Sequence, residues 1–154
     1  MPSLSPIQDL IKARIAAQTY FSSPTAVTII TEDDGDIETR VLTAIAGLGG
    51  MAVLILVPTG ENVDPGKSGA VYSLNIEVHL VESPIINRAG MNKPAYVACR
   101  KLLASVASGG LDGWDPGAPF SPLEAQGYEA TAGEVNSQGL IIYTAKFKCS
   151  ETIG

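Results

Sequence analysis

The sequence is short of the residues from which most reactive sites are built. Among 154 residues there is one histidine, His79, one tryptophan, Trp114, and two cysteines, Cys99 and Cys149. A catalytic triad or a zinc site needs partners at defined places around its histidine, and the sequence suggests none for His79. A surface or interface histidine is the reading that remains. The cysteines show no CxxC spacing and no nearby histidine, so they carry no metal signature. They sit in patterned segments and need no role beyond that of small buried side chains. A disulfide between them stays open, with a reducing compartment as the default. No serine lies in a G-x-S-x-G elbow. Carboxylates brought together from distant positions stay open too, since sequence spacing does not reveal them. No catalytic, cofactor-binding or metal-binding residue is therefore assigned, and no enzyme is expected. Positive charge is also scarce. Ten Lys and Arg stand against sixteen Asp and Glu, for a net charge of −6 and a pI near 4.6. The basic residues are scattered, which excludes nucleic acid as the main partner, because phosphate binding needs them clustered. The longest apolar run, Met51–Val57, is too short to span a bilayer, so no membrane partner is expected. The opening MPSLSPIQDL lacks a basic stretch followed by an apolar one and predicts no signal peptide.

What is present is enough for a core. The chain is 45% hydrophobic and 17% charged, at a length suited to one domain over 1–154. Sixteen glycines and ten prolines mostly fall between patterned segments and read as loops. Ser5-Pro6-Ile7-Gln8 predicts a helix start with a capping box, and Ile7, Leu10, Ile11 and Ile15 then follow helical spacing. The β-branched run 26–31 predicts a short strand. Asp36 is expected to cap a second helix with Ile37, Val41, Leu42, Ile45 and Leu48 on one face. MAVLILV at 51–57 predicts a strand covered on both faces. Residues 58–69 have loop composition. VYSLNIEVHLVES at 71–83 alternates, with Tyr72, Leu74, Ile76, Val78 and Leu80 on one side. Residues 51–83 therefore predict an antiparallel hairpin with a long tip. A third helix opens at Asn92-Lys93-Pro94, with Tyr96, Cys99, Leu102, Leu103 and Val106 expected inward. Residues 123–135 predict a weaker strand and 140–150 a final one, with Ile141, Tyr143, Ala145, Phe147 and Cys149 expected inward. The fold class is α+β, in the order α-β-α-β-β-α-(β)-β. It has a mainly antiparallel sheet, about three helices on one face and a long hairpin arm.

Two motifs come close to a known chemistry. GENVDPGKS at 60–68 resembles a phosphate-binding loop, but five residues separate Gly60 from Gly66 where four are required. Ser68 also leads into a strand, so no helix N-terminus points at the site. The bland reading is a hairpin tip. TEDDGDIETR at 31–40 supplies carboxylates without the spacing of a calcium loop, and a solvated turn with a helix cap is the stronger reading.

Trp114 lies in LDGWDPGAPFSP, a stretch with little periodicity that also holds Phe120. Long loops of this kind are functional or disordered, and two large aromatics argue against disorder. Trp114 reads equally as an anchor that pins the loop or as a contact residue, since Trp, Tyr and Arg dominate interface energetics. The segments 60–69 and 111–122 are the expected arms. Asn62, Asp64, Lys67, Trp114 and Phe120 are the candidate interface residues.

This layout resembles that of phage tail terminator (tail completion, minor tail) proteins. The resemblance rests on an opening helix PIQDLIKARIAAQ and a second helix IETRVLTAIAGL running into an apolar strand. After them come the hairpin ending in VYSLNIEVHLVE, the helix KPAYVACRKLLASVAS, the stretch LDGWDPGAPFSPLE and the closing strand GLIIYTAKFKCSE. It covers most of the chain through element order, with no sharp motif. It implies a hexameric ring that caps the tail tube, ends its elongation and offers a surface to the head–tail connector protein. Tail tube protein and other copies of the chain would be partners, with tail sheath protein added in a contractile tail. The place implied is the head-proximal end of the tail in the virion, after assembly in the host cytoplasm. DNA would only pass through the lumen, and six copies at −6 each would not hold it by charge. The alternatives are another ring-forming head–tail connector or tail protein, and a small ligand-binding domain or enzyme.

Overall fold

Ile7, Ile11 and Ile15 recur at helical spacing and form the buried stripe of α1 (Pro6–Ala16). A single turn, α2 (Thr19–Ser22), follows and buries Phe21. The computed structural model describes residues 6–23, 26–46, 51–63, 70–83, 94–130 and 140–153. Strand β1 (Thr28–Ile30) leads through a 3-10 turn at Glu32–Asp34 into α3 (Ile37–Ala46). Strands β2 (Met51–Asn62) and β3 (Ala70–Glu82) come next, then α4 (Ala95–Leu103), a 3-10 turn at Val106–Ser108, β4 (Glu124–Ala130) and β5 (Ile141–Ile153). The fold is α+β, as expected from the sequence.

The five strands make one mixed sheet in the order β1-β2-β3-β5-β4. Strands β1 and β2 are parallel, with α3 between them, and the other pairings are antiparallel. The alternation in β3 divides the molecule into two apolar layers. Leu74, Ile76, Val78 and Leu80 face α1 and α4, together with Val53 and Ile55 of β2 and Ala145 and Phe147 of β5. Ala52 and Val81 point the other way, towards Ile45 of α3, with Ile37, Val41, Leu54 and Ile142 around them. The expectation of helices on one face is corrected for α3, which covers the opposite face from α1 and α4. A period of 3.6 shows that a helix has an apolar stripe, but not which side of a sheet the stripe meets.

The hairpin also differs from expectation. Residues 58–62, expected as loop, belong to β2, with Thr59, Gly60, Glu61 and Asn62 opposite Asn75, Leu74, Ser73 and Tyr72. Pro58 lacks a ladder donor, and it is accommodated where the register shifts between Leu56 and Thr59. Strand β5 then pairs with β3 along its whole length. Helix α4 ends at Leu103, and its buried stripe is Ala95, Ala98, Cys99 and Leu102. Relative to the predicted stripe, this turns Tyr96 outward to 40% exposure and leaves Val106 outside the helix.

Helix α4 starts against a buried acid. Glu82, 2% exposed, accepts a hydrogen bond from the Ala95 N–H at 3.2 Å. That N–H has no partner within the helix, and a carboxylate beside it complements the helix dipole. Replacing Glu82 with alanine leaves a buried donor unmatched, which costs about 2 kcal/mol. Urea unfolding should show that loss. A change within about 0.5 kcal/mol, ordinary for a surface position, would contradict the role given to Glu82.

Candidate protein interface

The three candidate contact residues among the described ones, Asn62, Trp114 and Phe120, occupy different environments. Asp64 and Lys67 lie outside the described residues. Asn62 is exposed at the last paired position of β2. Trp114 is half-buried and packs against the main core, while Phe120 is 7% exposed and belongs to it.

The segment 111–122 is pinned along its length and does not project as an arm. Gly113 N–H donates to Leu123 O at 2.7 Å, and Leu123 N–H donates back to Trp114 O at 2.8 Å. Farther on, Ser121 N–H donates to Ser150 O, Ser150 N–H donates to Ser121 Oγ, and Thr152 N–H donates to Pro119 O. The segment thus runs beside the end of β5, in line with β4, while Leu111 and Leu123 are fully buried beneath it. Backbone pairing with a distant strand replaces the periodicity its sequence lacks. Phe120 is an anchor here, and Trp114 closes the core beside it.

A surface of different character sits next to it. Tyr128 on β4 lies opposite Ala145, and Tyr143 on β5 lies opposite Ala130. Their rings and that of Tyr96 on α4 form a cluster with centroids 5.6–6.4 Å apart. Tyr128 is 50% exposed. The Arg100 guanidinium lies 5.7 Å from the centre of the Tyr96 ring and donates to the Tyr96 hydroxyl at 3.0 Å. Three tyrosines and an arginine on one rigid face form the kind of surface from which protein interfaces draw most of their energy. The sequence did not single these residues out. Tyr128 and Tyr143 meet only through the β4–β5 register, and Tyr96 faces them only because α4 is rotated from the predicted stripe.

The opposite face of the sheet is polar beyond the edge of α3. His79 Nδ1 lies 2.9 Å from Thr144 Oγ1, and its Nε2 stands 3.1 Å from Glu77 Oε1 without hydrogen-bond alignment. Lys146 pairs with Glu129 at 2.9 Å on the same face. Burial holds the imidazole below its ordinary value of 6.5, with Glu77 pulling it upward and Lys146 adding to the depression. The folded state therefore prefers neutral His79, and the unfolded chain takes up the proton first as pH falls. The resulting stability is complete above pH 6.5 and declines below it, until the folded imidazole also protonates. His79→Gln should flatten the dependence of melting temperature on pH just below 6.5. An unchanged slope would rule out His79 as its source.

The remaining motifs are absorbed by local structure. Asp34 Oδ2 accepts from the Thr31 N–H at 2.8 Å, which closes the acidic turn. Asp36 has φ 37° and precedes α3, whose Arg40 N–H donates to Asp36 O. Gln8 Oε1 accepts from the Glu32 N–H at 2.8 Å, tying α1 to this turn. Ser5, its expected capping-box partner, lies outside the described residues. Gly60 of the phosphate-loop near-miss is paired in β2, and an added Cβ would stand 3.1 Å from Leu74 Cδ2. Both cysteines are free and buried, and burial pushes each thiol up to about 11. Among the described residues, no three His, Cys, Asp or Glu side chains group as a metal site requires. No described helix is long and apolar enough to cross a membrane. The chain matches no protein-family model and no curated protein.

Proposed function

We propose that the chain is a structural subunit of a homohexameric ring at the head-proximal end of a phage tail. The ring caps the tail tube, ends its elongation and presents its far side to the head–tail connector. In a contractile tail it also meets the sheath. Its work is assembly, with no bond made or broken, and DNA passes through the lumen unbound.

The observation that carries this reading is the exposed Tyr96–Tyr128–Tyr143 cluster with Arg100, set on a braced sheet. A ring subunit needs a rigid body that presents preformed contact surfaces, because every contact is repeated around the ring and ordering costs are repeated with it. The three long strands β2, β3 and β5, packed on α1 and α4 across one face and on α3 over part of the other, supply that rigidity. The element order resembles that of tail terminators, and that resemblance supports this assembly over others a rigid subunit could enter.

The test mixes the purified protein with tail tube subunits during tube growth. A terminator binds tube ends and stops elongation at a substoichiometric ratio to tube protein. Tubes that grow to the same lengths with and without the protein would exclude the terminator role.

A further inference from the structure

We infer that neighbouring copies of this chain join by edge-to-edge strand pairing, the open part of β4 of one copy adding to β1 of the next. This rests on the ring reading and names the contact that closes the ring.

The two edges of the sheet are β1 and β4. An edge strand offers unpaired N–H and C=O groups, and proteins ordinarily cover such edges. The start of β4 is covered, because Asp112 Oδ1 accepts from the Ala125 N–H at 3.0 Å. Among the described residues nothing similar covers 127–130. That open stretch stands at the height of β1. Ala130 lies opposite Tyr143, Tyr143 opposite Leu80, Leu80 opposite Val53, and Val53 opposite Ile29. One step along, Glu129 reaches Ile30 through Thr144, His79 and Leu54.

Polarity agrees with height. Strand β1 runs with β2, and the three antiparallel pairings that follow leave β4 running opposite to β1. Rotation about an axis along the strands preserves strand direction, so it sets β4 of one copy antiparallel to β1 of its neighbour. Ile30 and Glu129 then share the α3 face, while Ile29 and Ala130 share the α1 face. The sheet continues across the junction without flipping a side chain.

Charge selects the same occupant. The outer edge of β1 lies in a groove of about 430 Å³ between α1 and α3, lined by Lys12, Thr28, Asp34, Thr39, Arg40 and Thr43. Asp34 is engaged with the Thr31 N–H, and Arg40 Nε donates to Asp34 O at 2.9 Å, so the guanidinium is held at the groove. The incoming β4 carries Glu129 on the α3 side, with 72% of its side chain exposed. Its present pair with Lys146 is solvent-exposed and weak, so it yields to Arg40 at the junction. Tyr128 arrives on the α1 side, near Lys12. The tyrosine cluster is then covered from its open edge by the neighbour.

Disulfide trapping tests the pairing. Ile29→Cys and Ala130→Cys are combined in one chain and oxidised under the conditions in which wild-type protein assembles. Directly opposed positions on neighbouring strands lie within disulfide reach. Cys99 and Cys149 are buried with raised thiol values and do not compete. The double variant should give a ladder of covalent oligomers on a non-reducing gel, and neither single variant should. Ile29 is buried, so a second arm keeps it intact: Arg40→Glu should dissolve the assembly and added Glu129→Arg should restore it. Assembly without covalent ladder or charge rescue would overturn the strand pairing and leave the ring standing. Failure of wild-type protein to assemble, alone or on tubes, would overturn both.

Discussion

Gly110→Ala should destabilise the fold by about 3 kcal/mol or more, beyond the ordinary range of single substitutions. An added Cβ at Gly110 would stand 1.9 Å from the carbonyl oxygen of Ala104 and 2.5 Å from its carbon, both backbone atoms. Ala104 cannot move aside cheaply. Its N–H donates to Arg100 O to close α4, and its oxygen accepts from the Asp112 N–H at 3.1 Å. Asp112 in turn fixes the start of β4. Gly110 N–H donates to Ser105 O, and the next residue, fully buried Leu111, donates to Leu102 O. Relief of the clash therefore spreads into the turn that seats the Trp114 segment. For a chain of this size the melting temperature should fall by roughly 10 °C. Gly109→Ala is the control. Its φ of 90° strains a side chain, but nothing lies within 4 Å of its Cβ, so about 1 kcal/mol is expected. Equal melting temperatures for the two variants would contradict the close approach at Gly110.

Removing the tyrosine cluster should act on assembly and spare the fold. Tyr96 and Tyr128 are 40% and 50% exposed, so truncating them removes little of the core. A central tyrosine at an interface is worth about 2 kcal/mol, or roughly 30-fold in affinity. Tyr96→Ala and Tyr128→Ala should each weaken association by that order in sedimentation at several concentrations. Their melting temperatures should stay near that of the parent. Association unchanged in the double variant would remove the cluster from the interface.

The parts of the molecule governed by local rules were legible in the sequence. The alternation through Leu74, Ile76, Val78 and Leu80 placed those residues in the core, and Ala145 and Phe147 followed the same rule on β5. What the sequence hid depends on contacts between distant segments. A short apolar run such as 26–31 does not announce parallel pairing with β2. Residues 58–62 have loop composition, and β3 draws them into the ladder by offering partners along that whole length. Phe120 looked like a contact residue because its segment lacks a period, yet it stands opposite Glu151 of β5, held there by the hydrogen bonds of Pro119 and Ser121 to that strand. The tyrosine cluster was hidden for the same reason, since two registers and one helix rotation assemble it.

Subunit assembly is the central claim, and native mass spectrometry measures it most directly. The protein should be weighed across a concentration series, alone and with tail tube subunits. A hexamer that appears or strengthens on tube ends is the expected result. A chain that stays strictly monomeric at the highest concentration, with tubes present, would contradict the account.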